Sequence, residues 1–205
     1  MELTAAEPRR HSMTALFLDG EYAVSVDTET LLQAGWKPGQ DVTDEELHEL
    51  LQQSDAHRAR EKALYLLEHR SHSKKELEQK IARTVSPEAA QVAAQKMEDL
   101  GLVDDEDYAQ RFARELYRKG CAKRRVCYEL AHKGIAPEIV QQAADDNEPE
   151  TQQAILRILQ KKYRDLSDEK SRRRASAALQ RLGYGYDEIR AALRRYNTNE
   201  DEWNG

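Results

Sequence analysis

The sequence predicts a mainly α fold: an elongated array of three tandem three-helix repeats behind a small N-terminal β-hairpin extension. Three observations carry that expectation. Glycine and proline are scarce, at 9 and 5 of 205 residues, while Ala, Leu, Glu, Lys, Arg and Gln abound, a helix-forming composition. Glu129-Leu130-Ala131-His132-Lys133-Gly134-Ile135 is echoed by Ala178-Leu179-Gln180-Arg181-Leu182-Gly183-Tyr184, both ending a helix on glycine. Leu179 lies 49 residues beyond Leu130, and Leu130 lies 49 beyond Ile81, the last apolar anchor of Lys75-Glu76-Leu77-Glu78-Gln79-Lys80-Ile81. Repeats of this length stack because one unit alone cannot bury its apolar face, which suits large partners better than small ones.

The elements follow in order. Residues 1–12 read as a disordered start. Ala15-Leu16-Phe17-Leu18 and Tyr22-Ala23-Val24-Ser25-Val26 flank Asp19-Gly20, a hairpin signal because both central residues of a type I′ turn need positive φ. A two-residue loop there sets Phe17 opposite Tyr22 and Ala15 opposite Val24. Gly35-Trp36-Lys37-Pro38-Gly39 is a loop, and Thr43 with Glu46 forms a capping box for a short helix ending near Leu51. This extension covers residues 1–55.

Repeat 1 spans 56–101, repeat 2 spans 102–146, and repeat 3 with the tail spans 147–205. In repeat 1 a helix from about Ala56 to His69 presents Ala63, Leu66 and Leu67. A second, capped by Ser73, carries Leu77 and Ile81, and a third starts at Ser86-Pro87 with Ala89, Ala93, Met97 and Leu100 as its apolar stripe. Repeat 2 uses Tyr108, Phe112 and Leu116, then Val126 and Leu130, then Ile139, Val140 and Ala143. Repeat 3 uses Ile155, Ile158, Leu159 and Tyr163, then Ala175, Leu179 and Leu182, then Ile189 and Leu193. Glycines 101, 120, 134 and 183 stand where a left-handed residue ends a helix. Aromatic residues are 6% of the chain and charged residues 34%, so the cores are expected to be thin.

The net charge of −6 hides a segregation. Residues 1–55 carry a net −9; residues 56–83, 111–135 and 161–195 carry +4, +6 and +6; the stretches 84–110 and 136–160 carry −6 and −4, and the tail from 196 carries −3. Each repeat therefore pairs a basic part with an acidic connector. Cys121 and Cys127, six apart in an expected helix and roughly 9 Å along its axis, are too far apart for a disulfide, which fits a reducing compartment. The N-terminus lacks the basic and apolar regions of a signal peptide, and no apolar run reaches the roughly 20 residues that span a bilayer. A cytoplasmic protein with no membrane contact is expected.

Asp104-Asp105-Glu106-Asp107 has the residue types of a cation site, but acidic residues at a helix start also cap free N–H groups and complement the dipole, and that explains them. His69 and His72 are the one close pair among six histidines and lack further ligands for zinc. No nucleophile, base and orienting acid stand together and no glycine-rich phosphate loop occurs, so no catalysis, metal or cofactor is expected. The basic clusters are the stronger signal. They are Arg118 and Lys119 with Lys123, Arg124 and Arg125 around Gly120; Lys170 with Arg172, Arg173 and Arg174; and Arg70 with Lys74 and Lys75. One such run is usually a solvated face, but three at the junction of first and second helices would track a polyanion or an acidic protein groove. Few aromatics interleave with them, so base stacking is not indicated. Reading of duplex DNA by a helix-turn-helix is disfavoured, since no unit shows a clear recognition-helix pair.

The run Ala63-Leu64-Tyr65-Leu66-Leu67, then Arg70-Ser71-His72-Ser73-Lys74-Lys75-Glu76-Leu77, Leu100-Gly101-Leu102-Val103-Asp104-Asp105-Glu106-Asp107-Tyr108-Ala109, Arg118-Lys119-Gly120 and Glu129-Leu130-Ala131-His132-Lys133-Gly134-Ile135 resembles the RecX family of bacterial regulatory proteins. The likeness covers residues 56–145 well and is looser through repeat 3. It implies a monomeric, non-enzymatic regulator that lies in the groove of the RecA filament on single-stranded DNA. Such a regulator restrains strand exchange, ATP hydrolysis and co-protease activity, and so modulates recombination, DNA repair and the SOS response. The competing expectation is a generic helical-repeat scaffold for protein binding, with basic clusters that only aid solubility.

Overall fold

The computed structural model describes residues 1–163 and 165–203, with side chains through Tyr196. The acidic tail therefore falls largely outside the described side chains. Two compact units divide between Asp104 and Asp105.

The first unit opens with a four-stranded antiparallel sheet in the order β3-β2-β1-β4, from β1 (Glu2–Pro8), β2 (Met13–Leu18), β3 (Glu21–Asp27) and β4 (Gln40–Asp41). The expected disordered start is thus a strand flanked on both sides, with Leu3 fully buried. Asp19 and Gly20 have φ of 51° and 84°, as the turn requires, and Phe17 pairs with Tyr22 at a ring separation of 6.0 Å. Further along, the expected register fails. Leu16 pairs with Val24 and Ala15 with Ser25, because Ala23 is an extra residue in a bulge between these pairs. Leu3, Leu16, Leu18 and Val26 pack with Leu31, Val42 and Leu50. Leu31 belongs to a short helix, α1 (Thr28–Ala34), capped by the buried Asp27.

Thr43 and Glu46 complete their capping box, but the helix they start does not end near Leu51. It continues as α2 (Asp44–His69), so the short helix and the first helix of repeat 1 are one, and the division between residues 55 and 56 falls inside it. The polar stretch Gln52-Gln53-Ser54-Asp55 is where α2 is tied on two sides. Ser54 Oγ, buried, accepts from the backbone N–H of Asp27 at 2.8 Å, and Asp55 accepts from the N–H of Ser86 at 2.9 Å. The first half of α2 covers the sheet and the second half packs with α3 (Lys74–Ile81) and α4 (Pro87–Asp99). Ser86 and Pro87 start α4 as expected. Ala59 and Ala63 of α2 and Ala90 and Ala94 of α4 are all fully buried, small side chains that let the helices approach closely around Leu77, Ile81 and Met97. Leu100, expected on that stripe, is 57% exposed, because α4 ends at Asp99 and Val103 takes the buried place.

The second unit holds α5 (Asp105–Arg118), α6 (Lys123–His132) and α7 (Pro137–Asn147), then α8 (Thr151–Lys162), α9 (Glu169–Arg181) and α10 (Tyr186–Trp203). Tyr108, Leu116, Val126, Leu130, Val140 and Ala143 form one core, with Phe112 and Ile139 half-buried at its margin. Ile155, Leu159, Ala175, Leu179 and Ile189 form the other, with Ile158, Tyr163, Leu182 and Leu193 at its margin. Glycines 101, 120, 134 and 183 all have positive φ. Cys121 precedes α6 instead of lying in a helix with Cys127, and both thiols are free and raised in pKa by partial burial.

The two cores meet at the start of α6. Ala122 packs with the second core, and its N–H donates to Leu182 O at 2.8 Å. Gly120 lies against Ile158 and Gly183 against Arg125, each so close that a Cβ at either glycine would fall under 3.0 Å from its neighbour.

Candidate functional site

The three basic clusters each fall in the opening turns of the second helix of a repeat, and the first two also reach back to the end of the helix before. Arg70 is the C-cap of α2, and Lys74 and Lys75 open α3. Arg118 ends α5, Lys119 follows it, and Lys123, Arg124 and Arg125 open α6. Lys170, Arg172, Arg173 and Arg174 lie in the first half of α9, whose N-cap is Asp168. Each cluster but the third spans a helix end and the next helix start, which the intervening turn brings together.

Many of these cations are engaged inside the protein. Arg70 clamps Glu76 through bonds of 2.8 and 3.2 Å. Lys74 bridges α3 to α4, 2.7 Å from Glu98 and 2.5 Å from Gln95, while Lys75 pairs with Glu78 at 2.8 Å. Lys119 pairs with Glu115 at 2.6 Å and holds that carboxyl below its ordinary range. Lys123 joins α6 to the end of α7 by contacting Asp145 and, at 3.1 Å, Glu148. Those hydrogen bonds hold its ammonium well above the ordinary lysine value, and Lys123 with Gln141 holds Asp145 below its own. Arg125 pairs with Glu129 and lies 5.4 Å from the centre of the Tyr128 ring, and Arg173 pairs with Glu169 at 2.6 Å.

The side chains of Arg118, Arg124, Lys170, Arg172 and Arg174 make no hydrogen bond or close ion pair among the described residues, although the charges of Arg118 and Arg174 act at longer range on Glu115 and Asp168. They are the side chains the fold leaves ready for a polyanion, and the sequence did not separate them from the rest. It also missed an arginine row on α5. Arg111, Arg114 and Arg118 are spaced by three and four residues and so share one helix face, and Arg157 of α8 joins them in lining a cleft. The spacing was visible in the sequence, although the partner from α8 was not.

The acidic run at Asp104 serves the start of α5, with Asp107 pairing to Arg111 at 2.7 Å. Nδ1 of His69 is bonded to Tyr65 O and Nδ1 of His72 to Ser71 O. Among the described residues no group of three or more His, Cys, Asp or Glu could hold a metal ion, and no helix is long and apolar enough to cross a membrane.

Comparison with known proteins matches the last two of these repeats to family domains. Residues 104–143 fit the second three-helix domain of RecX and residues 148–193 fit its third. Regulatory protein RecX of Caldanaerobacter subterraneus subsp. tengcongensis is 31% identical over 150 residues, covering 72% of this chain and 76% of that protein. The Bacillus subtilis regulatory protein RecX is 28% identical over 91% of this chain and 73% of its own length. A crystal structure of regulatory protein RecX superposes with a TM-score of 0.62 at 18% identity, covering 94% of this chain and 98% of the other. With the helix repeats, their glycine stops and the matched domains in agreement, the chain belongs to the RecX family of regulatory proteins.

Proposed function

We propose that this protein is a non-enzymatic, cytoplasmic regulator that binds the RecA recombinase filament on single-stranded DNA as a monomer. It restrains strand exchange, ATP hydrolysis and co-protease activity, and thereby modulates recombination and DNA repair. The recurrence of basic clusters in the opening turns of the second helix of each repeat supports the reading. Several weak ionic contacts made by one chain along a polymer sum through effective concentration. The cations left unengaged, Arg118, Arg124, Lys170, Arg172 and Arg174, are its principal contacts.

A protein-binding scaffold without a filament target is the second reading. The internal pairing of Lys74, Lys123, Arg125 and Arg173 favours it, since those cations already have a structural use. Single-molecule imaging of filament growth and shrinkage on single-stranded DNA separates the two. The regulator slows growth or speeds loss at substoichiometric amounts, and the scaffold leaves both unchanged.

A further inference from the structure

The arginine row on α5 has its own geometry. Arg111, Arg114 and Arg118 run along one face for about 10 Å, and with Arg157 of α8 they line a cleft of about 730 Å³. Arg111 is paired with Asp107, whereas Arg114, Arg118 and Arg157 make no hydrogen bond or ion pair among the described residues. Glu115 also lines the cleft; Lys119 at 2.6 Å is its main partner and the charge of Arg118 acts on it more weakly, so the cleft keeps an excess of positive charge. Guanidinium groups converging on a concave surface repel one another and focus a positive field there, an arrangement relieved when an anion lies among them. Planar guanidinium forks match phosphate oxygens in pairs.

Two uncharged groups in the same cleft narrow the ligand further. Tyr117 donates its hydroxyl to Ala144 O at 2.9 Å, which fixes its ring as part of the wall. The amide NH₂ of Asn147 is used on Gln110 and Ala143 at 2.6 and 2.8 Å, which leaves its oxygen as an acceptor. An acidic protein surface would satisfy the arginines alone. A fixed aromatic face and an amide acceptor beside them fit a base attached to its phosphates.

We infer that this cleft takes the phosphodiester backbone of a single nucleic-acid strand, with Arg114, Arg118 and Arg157 on phosphate oxygens and the Tyr117 ring against a base. The inference rests on the reading that the protein works on a filament containing single-stranded DNA, and it assigns the surface that touches the DNA.

Fluorescence anisotropy with a labelled oligothymidylate and the full chain tests it. Replacing Arg114→Gln together with Arg157→Gln raises Kd at least tenfold and flattens the dependence of log K on log salt by about 1.4, two single-strand phosphate contacts. Circular dichroism confirms the fold of that variant, and Arg118→Gln alone, which weakens binding about threefold or more, serves if the double variant is unfolded. An unchanged Kd in the folded variants, or no oligonucleotide binding by the wild-type chain, overturns the inference. So does lost filament inhibition with unchanged oligonucleotide affinity, which would put recombinase carboxylates in the cleft. Failure of the filament reading shows separately, as wild-type protein that leaves filament ATP hydrolysis untouched while still binding the oligonucleotide.

Discussion

Gly183 lies directly against Arg125: a methyl group on the glycine would fall 2.8 Å from Arg125 Cβ and 3.1 Å from its backbone nitrogen. Beside this contact the N–H of Ala122 donates to Leu182 O at 2.8 Å, so the end of α9 rests on the start of α6 by backbone approach. The helix stop at Gly183 is therefore also where the third repeat meets the second. The basic side chains of α6 leave the same junction, which links the packing of the repeats to the placement of the charged surface.

Gly183→Ala should destabilise the second unit by about 2–5 kcal/mol, combining about 1–2 kcal/mol for a side chain at positive φ with about 1–3 kcal/mol of overpacking. Gly101 also has positive φ, but nothing lies within 4 Å of where its Cβ would stand, so Gly101→Ala should cost only about 1–2 kcal/mol. Urea unfolding of the two variants measures the difference. Equal losses would mean that the contact with Arg125 contributes nothing.

Leu130 is fully buried and Leu116 nearly so, and truncating either to alanine should cost about 2–5 kcal/mol. Phe112 sits at the margin of the same core, tilted against Tyr108 with ring centres 5.8 Å apart, so Phe112→Ala should cost less than Leu130→Ala despite removing more atoms. Thermal unfolding that ranks Phe112 above Leu130 would contradict the assigned buried face.

Ser54→Ala should cost about 1–3 kcal/mol by leaving the buried N–H of Asp27 without its acceptor. The loss should appear as faster hydrogen exchange in β3 and α1, because Asp27 ends one and caps the other. Exchange there at the wild-type rate would show that this bond does not hold the sheet to α2.

Tyr184 predicts an alkaline limit. Burial, aided by the charges of Cys121 and Glu188, pushes its phenol up to about 12. The unfolded chain gives up this proton near 10, so between about 10 and 12 the folded state holds more protons and stability declines as pH rises. Tyr184→Phe should make that decline shallower in urea unfolding at stepped pH. An alkaline slope equal to that of wild type would contradict the burial argument.

Features that rest on local chemistry were legible in the sequence. Asp19-Gly20 needs positive φ whatever surrounds it, Thr43 with Glu46 and Ser86 with Pro87 carry their own start signals, and the glycine stops act within one turn. What escaped depends on distant partners. β1 has a single large apolar residue inside it, Leu3, and becomes a strand because β2 and β4 flank it. The polar stretch at Ser54 and Asp55 resembles a loop until Asp27 and Ser86 supply its hydrogen bonds. In the candidate site, the recurrence of the clusters was readable, but Lys123 meets Asp145 and Glu148 only through the packing of α6 on α7.

The central claim is that cations in the opening turns of the second helices, with side chains outside the internal ion pairs, act on a recombinase filament. Arg124→Glu combined with Arg172→Glu and Arg174→Glu changes exposed or half-exposed groups outside the internal ion pairs, and surface changes of this kind usually cost no more than about 0.5 kcal/mol each. The direct measurement is ATP hydrolysis by RecA on single-stranded DNA, titrated with wild-type and charge-reversed protein of equal melting temperature. The account predicts inhibition by wild type that weakens as salt rises, and little or none by the variant. Inhibition by the variant at wild-type concentrations would contradict it and move the binding surface away from these helix starts.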